Sequence, residues 1–458
     1  MSISPLVQQA WWPSPVAREA AADPTPCGLG DVPRPMRLPA APRRLKILFV
    51  YGRSPLPMRR GDELTVAHLL EFLAARGHVV DFVSLLPPGS ELSTEHARWL
   101  ASRCRRSILI PHGRLSVLSG MVRGLMRGWP AQIGYFASAR QAATIRRLAA
   151  TEEYDIVYAY YIRSAEAIRP VARAAKLSVL ALQLSQTLNT RRLAQTAPNP
   201  LARLFYAFES RRMAAYEASV WQSFDRVVLI GEKDVDAIRA ACRAHGQPTI
   251  DNVLFGPHGV DVERFRPRRP DLVEPATVVL SGVMCYPPNV EAVLWFTREV
   301  WPRIRAVMPD AKLILVGRDP TAAVRALHGT SGVTVTGTVQ EPAEWMARAT
   351  VCVAPIRAAA GLQNKLLEYL AMGRPVVATT IANEGIGATD RRELLLADTP
   401  DTFAHAVLEL FADADLRTRL GIAARRFVEE RWTWEKPFLE LERAWLEALA
   451  GRERAPAV

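Results

Sequence analysis

Between Gly361 and Glu368 the chain reads Gly-Leu-Gln-Asn-Lys-Leu-Leu-Glu. Gly361 allows a backbone to approach a ligand closely, a helix starting near Gln363 turns its first N–H groups toward it, and Lys365 adds a point charge. A diphosphate needs those three things, so Gly361, Leu362, Gln363, Asn364 and Lys365 form a candidate phosphate cradle. Only six of the 58 basic residues are lysines, which makes a lysine at this position informative. Glu368 lies three residues beyond Lys365 on the same helix face, where its carboxylate can accept hydrogen bonds from hydroxyl groups. The plain alternatives are a solvated Lys365 and an exposed Lys365–Glu368 pair, and the residues alone leave them open.

Two further glycines and an arginine stand where such a ligand would be reached. Gly282 closes one strand-like run and Gly61 lies just beyond another, so backbone N–H groups there could approach a phosphate or a sugar, or the glycines could serve ordinary turns. Arg318 follows Leu315-Val316-Gly317 at a strand end and is either a second phosphate ligand or a surface residue. His258 reads as structural. The five cysteines are scattered without C-x-x-C spacing, and no ligand cluster suggests a metal, so neither a disulfide framework, a bound metal nor a resident cofactor is expected.

The elements needed to position these residues can be read from periodicity. Lys46 to Tyr51 is an apolar strand run, Glu63 to Arg76 repeats at helical spacing up to Gly77, and Val79 to Leu85 is the next strand. Strands are predicted again at 155–160, 178–184 and 226–230, and a second series at 277–281, 312–316, 332–335, 351–354 and 375–378. Segments 289–308 and 363–372 between them are helical in pattern. Residues 1–44, with nine prolines, read as a disordered arm. The division predicted is an arm (1–44), a first α/β domain (45–256), a second (257–432) and a returning helix with tail (433–458). Two parallel sheets facing across a cleft follow, with chemistry in the loops leaving the strands. The final helix, Lys436 to Ala450, should pack on the first domain through Phe438, Leu439, Leu441, Trp445, Leu446 and Leu449.

The 458 residues are 49% hydrophobic and 23% charged, as in a globular protein, and no apolar run is long enough for a spanning helix. A cytoplasmic protein is expected, peripheral on the inner face of the membrane if one surface attaches. Formal net charge is +12, and residues 101–150 hold nine arginines and no acid. There Ile108, Leu109, Ile110, Leu115, Val117, Leu118, Met121, Val122, Leu125, Met126 and Trp129 alternate with Arg114, Arg123 and Arg127, so a helix would carry an apolar face bordered by cations, suited to an anionic membrane surface. The bland alternative is that this face packs into the first domain. No aromatic-interleaved basic motif points to nucleic acid. No G-x-G-x-x-G follows a first strand, which argues against a dinucleotide dehydrogenase.

Four stretches together resemble glycosyltransferase family 4, the retaining transferases of two-Rossmann-domain (GT-B) architecture. They are Arg59-Arg60-Gly61-Asp62 with its helix, Pro257-His258-Gly259-Val260-Asp261, Val279 to Gly282, and Gly361 to Glu368 followed by Ala371-Met372-Gly373-Arg374-Pro375-Val376-Val377-Ala378. Ser281 to Asn289 (S-G-V-M-C-Y-P-P-N) is similar to a subgroup associated with bacterial exopolysaccharide and exosortase loci. The resemblance implies a nucleotide-sugar donor, a lipid-linked or glycan acceptor, and retention of anomeric configuration. It gives Lys365 and Glu368 the catalytic roles, with Glu368 on the ribose, places Gly61 and Asp62 in the acceptor-side loop, and makes Gly337-Thr338-Val339 the loop whose backbone meets the base. Two departures stand out: Ala360 occupies the place of a first glutamate, and Val283 and Met284 follow Gly282 where an Arg and a Lys are usual. A base is sought after the fourth strand, where 178–189 offers only Ser185 and Gln186; in a front-face mechanism the departing phosphate takes the acceptor proton instead. A GT-B-shaped sugar-nucleotide epimerase is the alternative function.

Overall fold

The structure is a computed structural model that describes residues 32–58, 61–86, 91–196, 200–256, 258–357 and 362–454. Most of the expected arm, together with Arg59, Arg60, Pro257, Ala360 and Gly361, lies outside the described residues. The chain divides into two compact units, one comprising residues up to Pro257 together with Phe438–Val458, the other His258–Pro437.

The first unit is built on seven parallel strands: β1 (Lys46–Tyr51), β2 (Val79–Leu86), β3 (Arg106–Pro111), β4 (Ile156–Tyr160), β5 (Leu177–Gln183), β6 (Arg226–Leu229) and β7 (Val253–Phe255), in the order β3-β2-β1-β4-β5-β6-β7. Helices cover both faces, so β1 and β4 are apolar along almost their whole length. Leu48, Val50, Val157 and Ala159 feed one core. On the alternate positions Phe49 packs on Tyr158 at 4.9 Å between ring centroids. Strand order reverses between β1 and β4, and the carboxyl ends at such a reversal are where open α/β sheets bind ligands.

Two sequence expectations need correction here. The basic block is not one long helix: Ile108, Leu109 and Ile110 lie in β3, and the helix is confined to Arg114–Met126. A short apolar run carries no period of its own and fits a strand as well as a helix. Because β3 precedes it, the strand entering 178–189 is the fifth, not the fourth. The end of the composition-defined arm is also ordered: from Val32 the chain is held along the Gly61–Ala75 helix, with the Met36 N–H donating to Glu71 at 3.1 Å and the Ala41 N–H to the Arg76 carbonyl at 2.9 Å.

The Glu435–Arg454 helix returns the chain to the first unit. Phe438, Leu441, Trp445 and Leu449 are buried on it, while Leu439 is exposed and Leu446 half-buried. Phe438 meets Phe72 at 5.4 Å and Trp445 meets Tyr158 at 5.4 Å. Between them buried Glu442 accepts from Arg76 at 2.6 Å and from His78 Nε2 at 2.6 Å. The Leu45 N–H donates to His78 Nδ1, which fixes the tautomer and leaves Nε2–H for Glu442.

The second unit has six parallel strands: β8 (Thr277–Ser281), β9 (Lys312–Val316), β10 (Val333–Gly337), β11 (Val351–Ala354), β12 (Val376–Ala378) and β13 (Leu395–Leu396), in the order β10-β9-β8-β11-β12-β13. Alternation sends Val279, Ile314, Cys352 and Val376 to one core and Val278, Leu313, Val353 and Val377 to the other. The reversal falls between β8 and β11. The Asn364–Ala371 helix connects β11 to β12. Gly373 ends it at φ +62°, the Arg374 N–H returns to the Tyr369 carbonyl, and buried Arg374 donates to the carbonyls of Ala347 and Ala349, so the M-G-R-P-V-V-A run is a helix stop feeding a strand.

Candidate functional site

The carboxyl ends of β8 and β11 carry the residues singled out in the second half of the sequence. Lys365 is buried in the first turn of the Asn364–Ala371 helix, and its ammonium donates to Asn289 Oδ1 at 2.5 Å. Asn289 is itself fixed, its Nδ2 donating to the Val283 carbonyl at 3.0 Å. A methyl group on Gly282 would stand 3.3 Å from Lys365 Nζ and 2.8 Å from Asn289 Nδ2, so only glycine lets the β8 loop run against the lysine. Gly317 is equally constrained, because a Cβ there would overlap the Gly282 carbonyl at 1.7 Å. The lysine therefore does not form the helix-surface pair with Glu368; it reaches back to the end of β8.

This placement has an electrostatic consequence. Asn289 is neutral, so the ammonium is desolvated without a bonded carboxylate, and burial lowers the Lys365 pKa to about 8, opposed by Glu368. Half-buried Glu368 is pushed up to about 7 by burial, against the pull of Arg264 and Lys365. A buried cation whose hydrogen bond among the described residues goes to a neutral amide favours an arriving anion. Beside it, no side chain caps the amino end of the helix at Gln363, and Asn364 Oδ1 is buried without a donor among the described residues. Tyr369 pins the neighbouring strand end, its hydroxyl accepting from the Ser281 N–H at 2.7 Å.

The other predicted residues divide. Leu362 and Val339 are half-buried and packed on the core beneath the Lys365 helix. The Arg318 carbonyl accepts from the Met284 N–H, tying the β9 loop to the β8 loop, while its guanidinium stands 3.5 Å from Asp319. Gly361 lies outside the described residues. His258 is buried against Trp434, 5.4 Å between ring centroids. Asn289 was not singled out as a ligand from sequence; its signal was its place at the end of S-G-V-M-C-Y-P-P-N.

In the first unit Gly61 opens the Gly61–Ala75 helix, and Asp62 accepts from the Tyr51 hydroxyl at 2.8 Å with Arg53 Nη1 3.8 Å away. Ser185 and Gln186, examined as stand-ins for a base, serve another purpose: Ser185 Oγ and the Gln186 N–H donate to buried Glu217 at 3.0 and 2.5 Å. The position that follows the fourth strand is occupied by Tyr161, Ile162 and Arg163.

Residues 275–413 match the family model for glycosyl transferases group 1. Over 406 residues, 86% of this chain and 98% of the other, the sequence is 20% identical to an uncharacterized 44.6 kDa protein in the cps region of Klebsiella pneumoniae. It is 26% identical over 233 residues to a GDP-mannose-dependent monoacylated alpha-(1-6)-phosphatidylinositol monomannoside mannosyltransferase of Corynebacterium glutamicum, a match spanning 46% of this chain and 59% of that one. Among solved structures, Anabaena HepE in complex with UDP-glucose superposes with a TM-score of 0.61 at 14% identity, covering 88% of this chain and all of that one. Residues 275–413 of the second unit are thus similar to group 1 glycosyl transferases, and the likeness in structure shows the fold.

Proposed function

We propose that this chain is a glycosyltransferase that moves a sugar from a nucleotide sugar to a lipid-linked or polysaccharide-precursor acceptor with retention of configuration. The observation that carries this reading is the Lys365 ammonium, buried at the end of β8 against Gly282 and hydrogen-bonded, among the described residues, to a neutral amide. A diphosphate at that point would supply the missing counter-charge and raise the lysine pKa back toward its ordinary value. The amino end of the Asn364–Ala371 helix adds its N–H groups, and ionised Glu368 accepts from the ribose hydroxyls. As the glycosidic bond breaks, charge grows on the departing phosphate, where Lys365 stabilises it most. In a front-face transfer that same phosphate accepts the acceptor's proton, so a base in the first unit is not required. The group 1 match supports the transferase class, and the GDP-mannose dependence of the corynebacterial relative and the UDP-glucose bound by HepE support a nucleotide sugar without choosing the base.

The acceptor side is read from the Arg114–Met126 helix. Val117, Gly120 and Gly124 face inward, while Leu115, Leu118, Val122, Leu125 and Met126 are exposed, Leu115 and Met126 to more than four-fifths of their surface. Arg114 and Arg127 flank them. An exposed apolar stripe with bordering cations fits a shallow seat in an anionic leaflet, and no helix among the described residues is long and apolar enough to cross a membrane. Incubating the protein with labelled UDP-, GDP-, ADP- and TDP-sugars and membrane lipid extracts tests the reading. Label in the lipid or glycan fraction is expected. Conversion of the nucleotide sugar to an epimer, with no transfer, would replace it with the epimerase alternative.

A further inference from the structure

The carboxyl ends of β1 and β4 carry a cluster that no motif announced. Arg53 follows the end of β1 and Arg163 the end of β4, and their guanidinium carbons stand 5.5 and 5.0 Å from the ring centroid of buried Phe136. The Arg53 side chain is 7% exposed, and Asp62, 3.8 Å away, is shared with the Tyr51 hydroxyl. Arg163 is held by neutral groups. The Gln132 side-chain oxygen, with its amide turned toward the guanidinium, accepts from Nη2 and Nε at 2.7 and 2.6 Å, and the Tyr161 ring lies 4.6 Å from the guanidinium carbon. Among the described residues no carboxylate lies within ion-pair distance of Arg163. Tyr161 is itself forced to φ +71°, and its hydroxyl accepts from Gln186 Nε2 at 2.9 Å. Burial and the neighbouring Arg53 lower the Arg163 pKa to about 10. Two guanidiniums are thus gathered against one aromatic ring, one of them with no acid at ion-pair distance among the described residues, at the place where an open α/β sheet accepts ligands.

We infer that this cluster is a second anion subsite, in which Arg163 engages the phosphate or diphosphate group of a phosphorylated acceptor and buried Arg53 adds positive charge behind it. The inference rests on the glycosyltransferase reading for the word acceptor, but not for the anion. Guanidinium presents a planar fork that engages two phosphate oxygens at once, and Arg163, half-buried, is the one open to a ligand.

Calorimetric titration of inorganic pyrophosphate into the full-length Lys365→Ala protein reads this subsite with the donor site silenced. Binding is expected to persist there and to weaken at least ~10-fold on adding Arg163→Gln, with Arg163→Lys losing only a few-fold. Equal pyrophosphate affinity with and without Arg163→Gln overturns the subsite; if that variant does not fold, an unchanged affinity in Arg163→Lys does so. Nucleoside diphosphate binding by Arg163→Gln with Lys365 intact should equal that of the native chain. A matching loss there would give the arginine cluster to the donor and overturn the acceptor assignment, whereas no nucleoside diphosphate binding by the native chain would break the glycosyltransferase reading and leave the pyrophosphate result standing. Competition against pyrophosphate separates the sources: displacement by glucose 6-phosphate supports a soluble phosphosugar, displacement only by vesicles containing a polyprenyl diphosphate supports a lipid, and displacement by neither overturns the acceptor assignment.

Discussion

The two sheets place cations at equivalent points, the carboxyl ends of the strands flanking the reversal, but they do so with different chemistry. At β8 and β11 the cation is one lysine, held by the neutral amide of Asn289 beside a titrating Glu368. At β1 and β4 it is a pair of arginines packed on Phe136 with Asp62 as partial counter-charge. A lysine with a pKa of about 8 can respond to what binds it, whereas guanidiniums stay charged throughout the physiological range. The difference suits a site where charge changes during reaction against one that grips an unchanging anion.

The largest effect expected follows from that contrast. Lys365→Ala and Glu368→Ala should each reduce transfer at least ~10²-fold while melting curves stay close to those of the native chain. Near-native turnover in both would move the chemistry away from the second unit.

Next in size is Asn289→Asp. A carboxylate in place of the amide gives Lys365 the partner it lacks, so nucleoside diphosphate affinity should fall on the order of 10-fold, as a buried charge pair competes with the ligand. Unaltered affinity would mean that the ammonium's neutral seat is irrelevant.

Removing the chain after Arg431 takes away Phe438, Glu442, Trp445 and Leu449, leaving Arg76 and His78 facing an empty groove. Trp445→Ala alone should cost about 3–5 kcal/mol in the first unit, measured by denaturant unfolding. An unchanged first-unit transition would show the returning helix to be dispensable.

Smaller is the pH response. In the proposed donor site binding needs ionised Glu368, so affinity should rise as pH climbs through about 7, and charged Lys365, so it should decline as pH passes about 8. Glu368→Gln should flatten the acidic limb and leave the alkaline one; a profile flat from pH 6 to 9 in the native chain would contradict both shifts.

The contrast also explains how much was legible in the sequence. Lys365, Glu368 and the candidate cradle before them lie within eight residues, so residue type and spacing are enough to propose them, although which way Lys365 turns depends on Asn289, 76 residues earlier. The buried strands of both sheets read as apolar runs. Strands β3, β7 and β13 did not: β3 sits in an arginine-rich block that mimics an amphipathic helix, β7 has three residues and β13 has two. Missing β3 shifted the strand count and drew attention to Ser185 and Gln186 rather than Arg163. Arg53 and Arg163 are 110 positions apart and share no motif; only the β1/β4 pairing brings them together.

The most direct test is isothermal titration of UDP, GDP, ADP and TDP into the native chain and into Lys365→Ala. At least one nucleotide should bind the native protein with measurable heat, and Lys365→Ala should bind that nucleotide at least ~10-fold more weakly, the order of a lost charge-assisted contact. Equal affinity in the two proteins would contradict the assignment of the donor diphosphate to the end of β8.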